Sequence, residues 1–156
     1  MLALLLIALA AAGDRPAWLE AKSCLARAPA HEFRGVGLSD TRTDGERRRA
    51  VAESRARAEL RSEMETLVAR IHQKIPLTGD EGPAIGRAIE QVATAGRVVD
   101  HFLAEPMEHA LVAVGLDELR AAILSTDGVP QEKRRAFAAA LQDEFDALAA
   151  MTPCAP

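Results

Sequence analysis

The chain has 156 residues, of which 49% are hydrophobic and only 3% aromatic, and it carries a formal net charge of −4. This length suits one domain, whose core must consist mainly of Ala, Leu, Val and Ile. The acidic balance argues against a general binder of nucleic acids or anionic membranes, because such proteins normally carry a basic excess. No nucleophile motif and no phosphate loop is present, so we expect neither an enzyme nor a bound cofactor.

The first residues have the character of an export signal, which we assign to residues 1–12. All of them after the initial Met are Leu, Ile or Ala. The run is too short to span a bilayer comfortably, and the small residues at its end suit a signal peptidase. The first choice of cleavage site is after Ala12 and the second after Ala10. A buried helix or a misassigned start codon is the alternative interpretation.

The sequence contains two cysteines, Cys24 and Cys154, one near each end. An even number in an exported chain predicts a disulfide between them, which would stabilise the fold by about 4–5 kcal/mol in the chain-entropy model. Two free thiols in a cytosolic protein are the alternative. Neither cysteine forms a lipid-attachment box, since Gly13 directly follows the apolar run. We expect a protein that is periplasmic or associated with the outer membrane, without a transmembrane helix after cleavage.

The first strand is predicted over residues 31–39 and contains Gly35 and Gly37. These glycines lie on one face of the strand, because strand side chains alternate between faces. A bare face on a strand usually means that another element approaches very closely. We expect that element to be the long helix that follows.

The long helix is predicted over residues 44–74, with Thr43 as its N-cap and Glu46 completing a capping box. Pro76 ends the element. Glu53 and Arg57 form an i,i+4 pair of favourable orientation. Apolar residues recur at steps of three and four and give the helix one apolar stripe: Ala52, Ala56, Leu60, Met64, Leu67, Ile71 and Ile75.

The rest of the chain predicts two strands and three further helices. Pro83 opens a second helix, and residues 98–104 and 109–116 form a hairpin. A short helix covers residues 116–124, and a last helix covers residues 131–150. The fold class is therefore α+β in one mature domain, residues 13–156. A right-handed crossover predicts a three-stranded, mostly antiparallel sheet of order 1-3-2, covered by the long helix, with a helical C-terminal segment.

Four short motifs occur in the order in which one known family has them. They are Pro16-Ala17-Trp18 near the mature N-terminus, Gly35-Val36-Gly37 in a strand, Ala56-Arg57-Ala58-Glu59-Leu60 in a helix, and Leu116-Asp117 at the end of a later strand. Residues 16–124 thereby resemble the Lpp-twenty lipoprotein family of small bacterial envelope proteins, which includes the flagellum-associated FlgP. The chain departs from that family in lacking the lipobox Cys and in keeping only Phe102 among the aromatics of the second strand.

The resemblance implies an α+β envelope protein without agreed catalytic residues. Related folds assemble into rings or multimers, and some support flagellar or envelope structures. The first hypothesis for this chain is therefore a non-enzymatic structural, assembly or docking component whose partner is itself or another envelope protein. The alternative is a small periplasmic module that binds an anionic ligand or an envelope polymer, using the arginines described next and the gap between the two long helices.

Three consecutive cations, Arg47, Arg48 and Arg49, lie in the first turns of the long helix. The helix macrodipole disfavours positive charge there, and an anionic partner would reverse that effect. Such a partner could be a lipid head group, a cell-wall polymer or an acidic protein face. A solvated basic cluster balanced by Glu46 and Glu53 is the alternative.

Histidines and acids offer little further chemistry. His101 and His109 could face one another across the hairpin and bind a metal, but no local Cys or carboxylate completes a ligand set. We therefore predict no metal site. We interpret the remaining acids of the helices as a solvated surface: Glu63, Glu65, Asp143, Glu144 and Asp146.

Overall fold

The computed structural model describes residues 15–20 and 31–151. Its helices and strands follow one another as α1 (Ala17–Glu20), β1 (Glu32–Leu38), α2 (Gly45–Lys74), α3 (Glu81–Ala95), β2 (Arg97–Ala104), β3 (Met107–Gly115), α4 (Leu116–Leu124) and α5 (Gln131–Met151). The predicted element order is confirmed from β1 onward. The predicted export signal, residues 1–12, and the predicted disulfide between Cys24 and Cys154 lie outside the described residues.

The three strands form one antiparallel sheet of order β1-β3-β2, which confirms the predicted fold class. The pairing of β1 with β3 sets Phe33 opposite Val114 and Gly35 opposite Val112. All four of these residues are buried, because this face of the sheet carries the core. The hairpin between β2 and β3 is tight, since Ala104 pairs directly with Met107.

The 30-residue helix α2 is the longest element described, about 45 Å at 1.5 Å per residue. It contacts β1 and β3 of the sheet and also packs against α3 and α5. Ile75, the seventh residue of the predicted stripe, is the C-cap of the helix and only partly buried. The other six are buried: Ala52, Ala56, Leu60, Met64, Leu67 and Ile71. The small members Ala52 and Ala56, followed by Leu60, lie over the glycines of β1.

Gly35 and Gly37 allow the close approach between β1 and α2. A Cβ built on Gly35 would lie 2.1 Å from the carbonyl oxygen of Ala56, and one on Gly37 would lie 1.9 Å from that of Ala52. Both distances are far below van der Waals contact with a backbone that cannot rotate away. The prediction of a close neighbour on the bare face of the strand is therefore confirmed.

The helical end of the core is closed by α5. Phe33 and Phe145 meet edge to face, with ring centroids 5.2 Å apart, a favoured aromatic geometry. Phe137 and Leu141 of the same helix are also buried. The C-terminal helix is thus part of the same hydrophobic core as the sheet.

Two predicted helix starts are wrong by a small margin. The N-cap of α2 is Asp44, whose carboxylate accepts the backbone N–H of Arg47 at 3.1 Å. Thr43 lies one residue before that cap, and its hydroxyl donates to Asp40 at 2.7 Å. Helix α3 starts at Glu81, before Pro83, because the first turn of a helix tolerates a residue without an N–H. Within the described residues, no helix combines the length and the apolar character needed to cross a membrane.

Candidate functional site

The arginine cluster, Arg47, Arg48 and Arg49, lies against the hairpin that joins β2 and β3. Arg48 Nη1 contacts Glu105 Oε2 at 3.2 Å, and Arg49 Nε contacts Glu108 Oε1 at 3.4 Å. The Glu105 side chain is 71% exposed and that of Glu108 only 10%. These two ion pairs tie the start of α2 to the hairpin, so two of the three guanidinium groups have carboxylate partners within the chain.

Arg47 has the weakest pairing of the cluster. Its Nε lies 3.8 Å from Asp44 Oδ2, and its side chain is 81% exposed. An ion pair this exposed contributes little to stability. Arg47 is therefore the least engaged cation of the cluster, and the Arg49 side chain is also 65% exposed.

Glu53 joins the middle of α2 to β2. Its carboxylate receives His101 Nε2 at 3.0 Å and Arg57 Nη1 at 3.3 Å, so the predicted Glu53–Arg57 pair is present. The facing arrangement of His101 and His109 is wrong: His109 pairs with Phe102, the neighbour of His101, and adjacent strand residues point to opposite faces.

A groove of about 510 Å³ runs between α2 and α3. Its walls carry Arg57 and Arg61 beside Glu53 and Glu90, and small residues such as Ala58 line the rest. Arg61 Nη1 lies 3.8 Å from Glu90 Oε1, so cations and acids alternate along the walls. The groove is therefore polar and close to neutral. Between the two longest described helices, Lys74 of α2 pairs with Glu144 of α5.

The outer edge of β1 is closed by side chains from α2. The backbone N–H of Val36 donates to Glu59 Oε2 at 2.6 Å, and Arg55 Nη1 donates to the carbonyl oxygen of Leu38 at 2.6 Å. These bonds use backbone groups that another strand could otherwise pair with. The β1 edge is thereby made unavailable for pairing.

Arg55 is itself fixed by a carboxylate beyond the end of β1. Its Nη2 contacts Asp40 Oδ2 at 3.2 Å. The Thr43 hydroxyl and the backbone N–H of Arg42 both donate to that carboxylate. These hydrogen bonds, that of Thr43 most of all, hold the pKa of Asp40 below its ordinary value of 3.8. Asp40 therefore stays charged and keeps Arg55 over the strand edge.

The outer edge of β2 is different, and we call the side of this strand (Arg97–Ala104) that faces away from β3 the β2 edge. No described strand pairs with it. Val99 is 40% exposed and Leu103 is 49% exposed. A bulge lies at Val99, between the paired residues Val98 and Asp100.

One backbone group on the β2 edge has a partner on its own strand. The N–H of His101 donates to Asp100 Oδ1 at 2.8 Å, and Asp100 Oδ2 accepts Trp18 Nε1 at 2.9 Å. Among the described contacts, no α2 side chain bonds to the backbone of β2. Arg57 donates to the carbonyl oxygen of Gly96 at 3.4 Å, one residue before the strand starts. The β2 edge is therefore more open than the β1 edge.

Sequence reasoning missed the β2 edge, although a signal for it was available. The predicted order 1-3-2 already makes the second strand an edge strand. Its sequence carries Val99 and Leu103 where an edge strand facing water would carry polar residues. The exposure of those two side chains could not be read from the sequence, because it depends on where α2 crosses the sheet.

A charged cluster on the helical side ties α3 to α5. Glu81 of α3 accepts Lys133 Nζ of α5 at 2.7 Å and the backbone N–H of Thr78 at 2.7 Å. These two donors, with the lysine contributing most, lower the pKa of Glu81 from its ordinary value of 4.5. Glu81 is 9% exposed, so the cluster is a structural clamp between helices.

Within residues 15–20 and 31–151, no three or more His, Cys, Asp or Glu side chains converge as a metal site would require. His31, for example, contacts the single carboxylate of Asp146, at 3.2 Å. Comparison of the chain with protein-family models, curated proteins and solved structures gives no match.

Proposed function

We propose that this chain is a non-enzymatic, exported envelope protein that acts as a structural, assembly or docking component. The observation that carries the proposal is the contact of Gly35 and Gly37 with the backbone of α2. It is the arrangement expected for the part of the sequence, residues 33–75, in which the resemblance to the Lpp-twenty family is sharpest. The apolar run at residues 1–12 supports export.

The distribution of charge supports an assembly role over a catalytic one. Two acids beside the arginine cluster, Glu105 and Glu108, bond to Arg48 and Arg49, and Glu53 bonds to Arg57 and His101. These groups hold elements of the domain together. The exposed apolar residues of the β2 edge, in contrast, are available to a partner.

A small binding module for an anionic ligand or an envelope polymer is the second candidate. The groove between α2 and α3, with Arg57 and Arg61 in its walls, favours it. Its acids offset those cations, so the groove suits a ligand that presents both donors and acceptors. Saturable binding of a soluble envelope polysaccharide, lost in Arg61→Glu and kept in Arg70→Glu, would favour this candidate over the first.

A fusion experiment tests export and assembly together. The full chain is fused at its C-terminus to alkaline phosphatase, which becomes active only where disulfides form, and is expressed in a Gram-negative host. We expect the fusion to be active, and to be inactive when Leu5 and Leu6 are both changed to Arg. In cells that make the untagged chain, we expect cross-linked species larger than the monomer in the envelope fraction. An inactive wild-type fusion, or a chain that cross-links to nothing in the envelope, would contradict the proposal.

A further inference from the structure

We infer that the groove between α2 and α3 binds a phospholipid with a single acyl chain and a zwitterionic head group, one molecule per protein chain. The acyl chain lies in an apolar stretch of the groove, and the head group lies at the charged stretch beside it. This inference goes beyond the assembly role proposed above and does not depend on it. The continuity of the groove, the lining of its apolar stretch and the charges where the two stretches meet carry it.

The charged groove of about 510 Å³ continues along both helices into an apolar stretch of about 230 Å³. The two stretches meet at Arg61 and Glu65, which line one stretch each and whose Nε and Oε1 atoms lie 3.4 Å apart. From there the apolar stretch runs to His72 on α2 and Gly82 on α3. The two volumes together fall in the range of about 300–1,000 Å³ that is usual for small-ligand sites.

Apolar side chains form the floor and walls of the second stretch. Ile85 and Ile89 of α3 are buried and belong to the core, and Val68 and Leu77 beside them are partly buried. Among the residues described for this stretch, only its first and last residues on α2 are polar. Such a lining suits a hydrocarbon chain, because the chain leaves water when it enters.

Two glycines keep the apolar stretch open. Gly82 and Gly86 lie one turn apart on the face of α3 that lines it, and a Cβ on either would meet nothing within 4 Å. A glycine within a helix costs stability relative to Ala, and no described neighbour requires its small size here. A chain lying along α3 would require it. Leu77 closes the far end, where its backbone N–H donates to His72 Nδ1 at 3.1 Å.

The charges at the junction determine which head group fits. Arg61 lies between two acids, with its Nη1 3.8 Å from Glu90 Oε1 and its Nε 3.4 Å from Glu65 Oε1. The three side chains are between 47% and 65% exposed, so these pairs are weak and can open to a ligand. A head group with a phosphate and an ammonium gives the arginine an anion and the acids a cation. A carboxylate alone would meet two acids for one arginine.

An amphipathic helix from a protein partner is the other occupant that an apolar groove can take. A docked helix buries a broad apolar surface, and the large hydrophobic side chains that are exposed among the described residues lie elsewhere. They are Val99 and Leu103 of β2 and Leu124 of α4. The apolar stretch spans only residues 65–72 of α2, about 10 Å at 1.5 Å per residue. A single hydrocarbon chain therefore fits it better than a helix does.

The first test is calorimetric titration of the purified full chain with lauroyl lysophosphatidylethanolamine below its micelle concentration. We expect saturable binding of one molecule per chain. Laurate, which has the same acyl chain but only a carboxylate, should bind about tenfold more weakly or worse. Glycerophosphoethanolamine, the head group without the chain, should not bind. Vesicles of phosphatidylcholine should not retain the protein, because their acyl chains are not free to enter the groove.

The second test changes the groove without disturbing the core. Ala69 lines the apolar stretch and is exposed, so Ala69→Glu adds a charge there while keeping a good helix former. It should raise the dissociation constant about tenfold or more. Ala139→Glu, at an exposed position of α5, is the matched control and should leave binding unchanged. Glu90→Gln should narrow the preference over laurate, because it removes one of the two acids. Circular dichroism checks that all three variants fold.

Several results would overturn the inference. They are the absence of saturable binding, equal affinity for laurate, binding to vesicles alone, and equal losses in Ala69→Glu and Ala139→Glu. Envelope cross-links that disappear in Ala69→Glu, without any binding of the lysophospholipid, would assign the groove to a protein partner instead. Because the titration uses the purified chain, its failure leaves the assembly role untouched. That role depends on the phosphatase fusion and on the cross-links of the unchanged chain.

Discussion

Gly37 lies against Ala52 so closely that a Cβ at position 37 would be 1.9 Å from the Ala52 carbonyl oxygen. We therefore expect Gly37→Ala to lower the free energy of unfolding by about 3 kcal/mol or more, because α2 must move away from the sheet to admit the methyl group. Denaturant unfolding followed by circular dichroism measures the effect.

Gly86 provides the control for that substitution. It lies within α3, and a Cβ there would meet nothing within 4 Å. Gly86→Ala should raise the free energy of unfolding by about 0.5–1 kcal/mol, the usual gain when Ala replaces Gly in a helix. Equal effects of the two substitutions would contradict a close approach at Gly37.

Phe145 connects α5 to the sheet through its edge-to-face contact with Phe33. Phe145→Ala should lower the free energy of unfolding by about 3–5 kcal/mol, because it removes a buried ring and leaves a cavity. Leu124→Ala, at a site that is 43% exposed, should cost far less. If α5 were cleaved by protease from the native protein without loss of the remaining fold, its place in the common core would be disproved.

Glu59 protects the edge of β1 by accepting the Val36 N–H at 2.6 Å. Glu59→Ala should cost about 1–3 kcal/mol, the usual effect of leaving a part-buried backbone donor without its acceptor. It should also speed aggregation at high concentration, since the edge becomes available to other strands. Glu63→Ala, an exposed acid on the same helix, is the control, and light scattering after stability-matched incubation separates the two effects. An unchanged aggregation rate would show that Glu59 does not protect the β1 edge from pairing with other strands.

Glu81 should make stability depend on pH on the acid side. Its pKa in the folded protein is below the ordinary value of 4.5, chiefly because Lys133 donates to it. A lowered folded-state pKa means that the contribution is fully present above about pH 4.5 and is lost as the pH falls through the folded value. Glu81→Gln should therefore unfold more easily than wild type at neutral pH, and the difference should shrink below pH 4.5.

Thermal unfolding of both proteins across the acid range measures that difference. Glu63→Gln serves as the reference, because Glu63 is exposed. A gap between wild type and Glu81→Gln that stayed constant from neutral pH to strong acid would contradict the assigned ion pair.

Much of this architecture follows from local patterns in the sequence. The apolar stripe of α2 and the alternate glycines of β1 predicted a long helix packed against the glycine face of the strand. The sheet order 1-3-2 followed from the order of the elements and the handedness of the crossover. These inferences succeed because periodicity and backbone sterics act over a few residues. The predicted cap at Thr43 failed because the helix begins one residue later, where the Asp44 carboxylate accepts the Arg47 N–H.

The candidate sites were less accessible to such reasoning. The sequence alone determined that Arg47, Arg48 and Arg49 share the start of a helix. Only the tertiary structure decided that Arg48 and Arg49 meet Glu105 and Glu108, which lie 57 and 59 residues further along the chain. Likewise, the position of α2 on the sheet places its side chains on the backbone of the β1 edge and leaves the β2 edge open. Ion pairs and side-chain exposure depend on distances between residues that are far apart in the sequence. Those distances are set by how the helices and strands pack, which local sequence patterns do not specify.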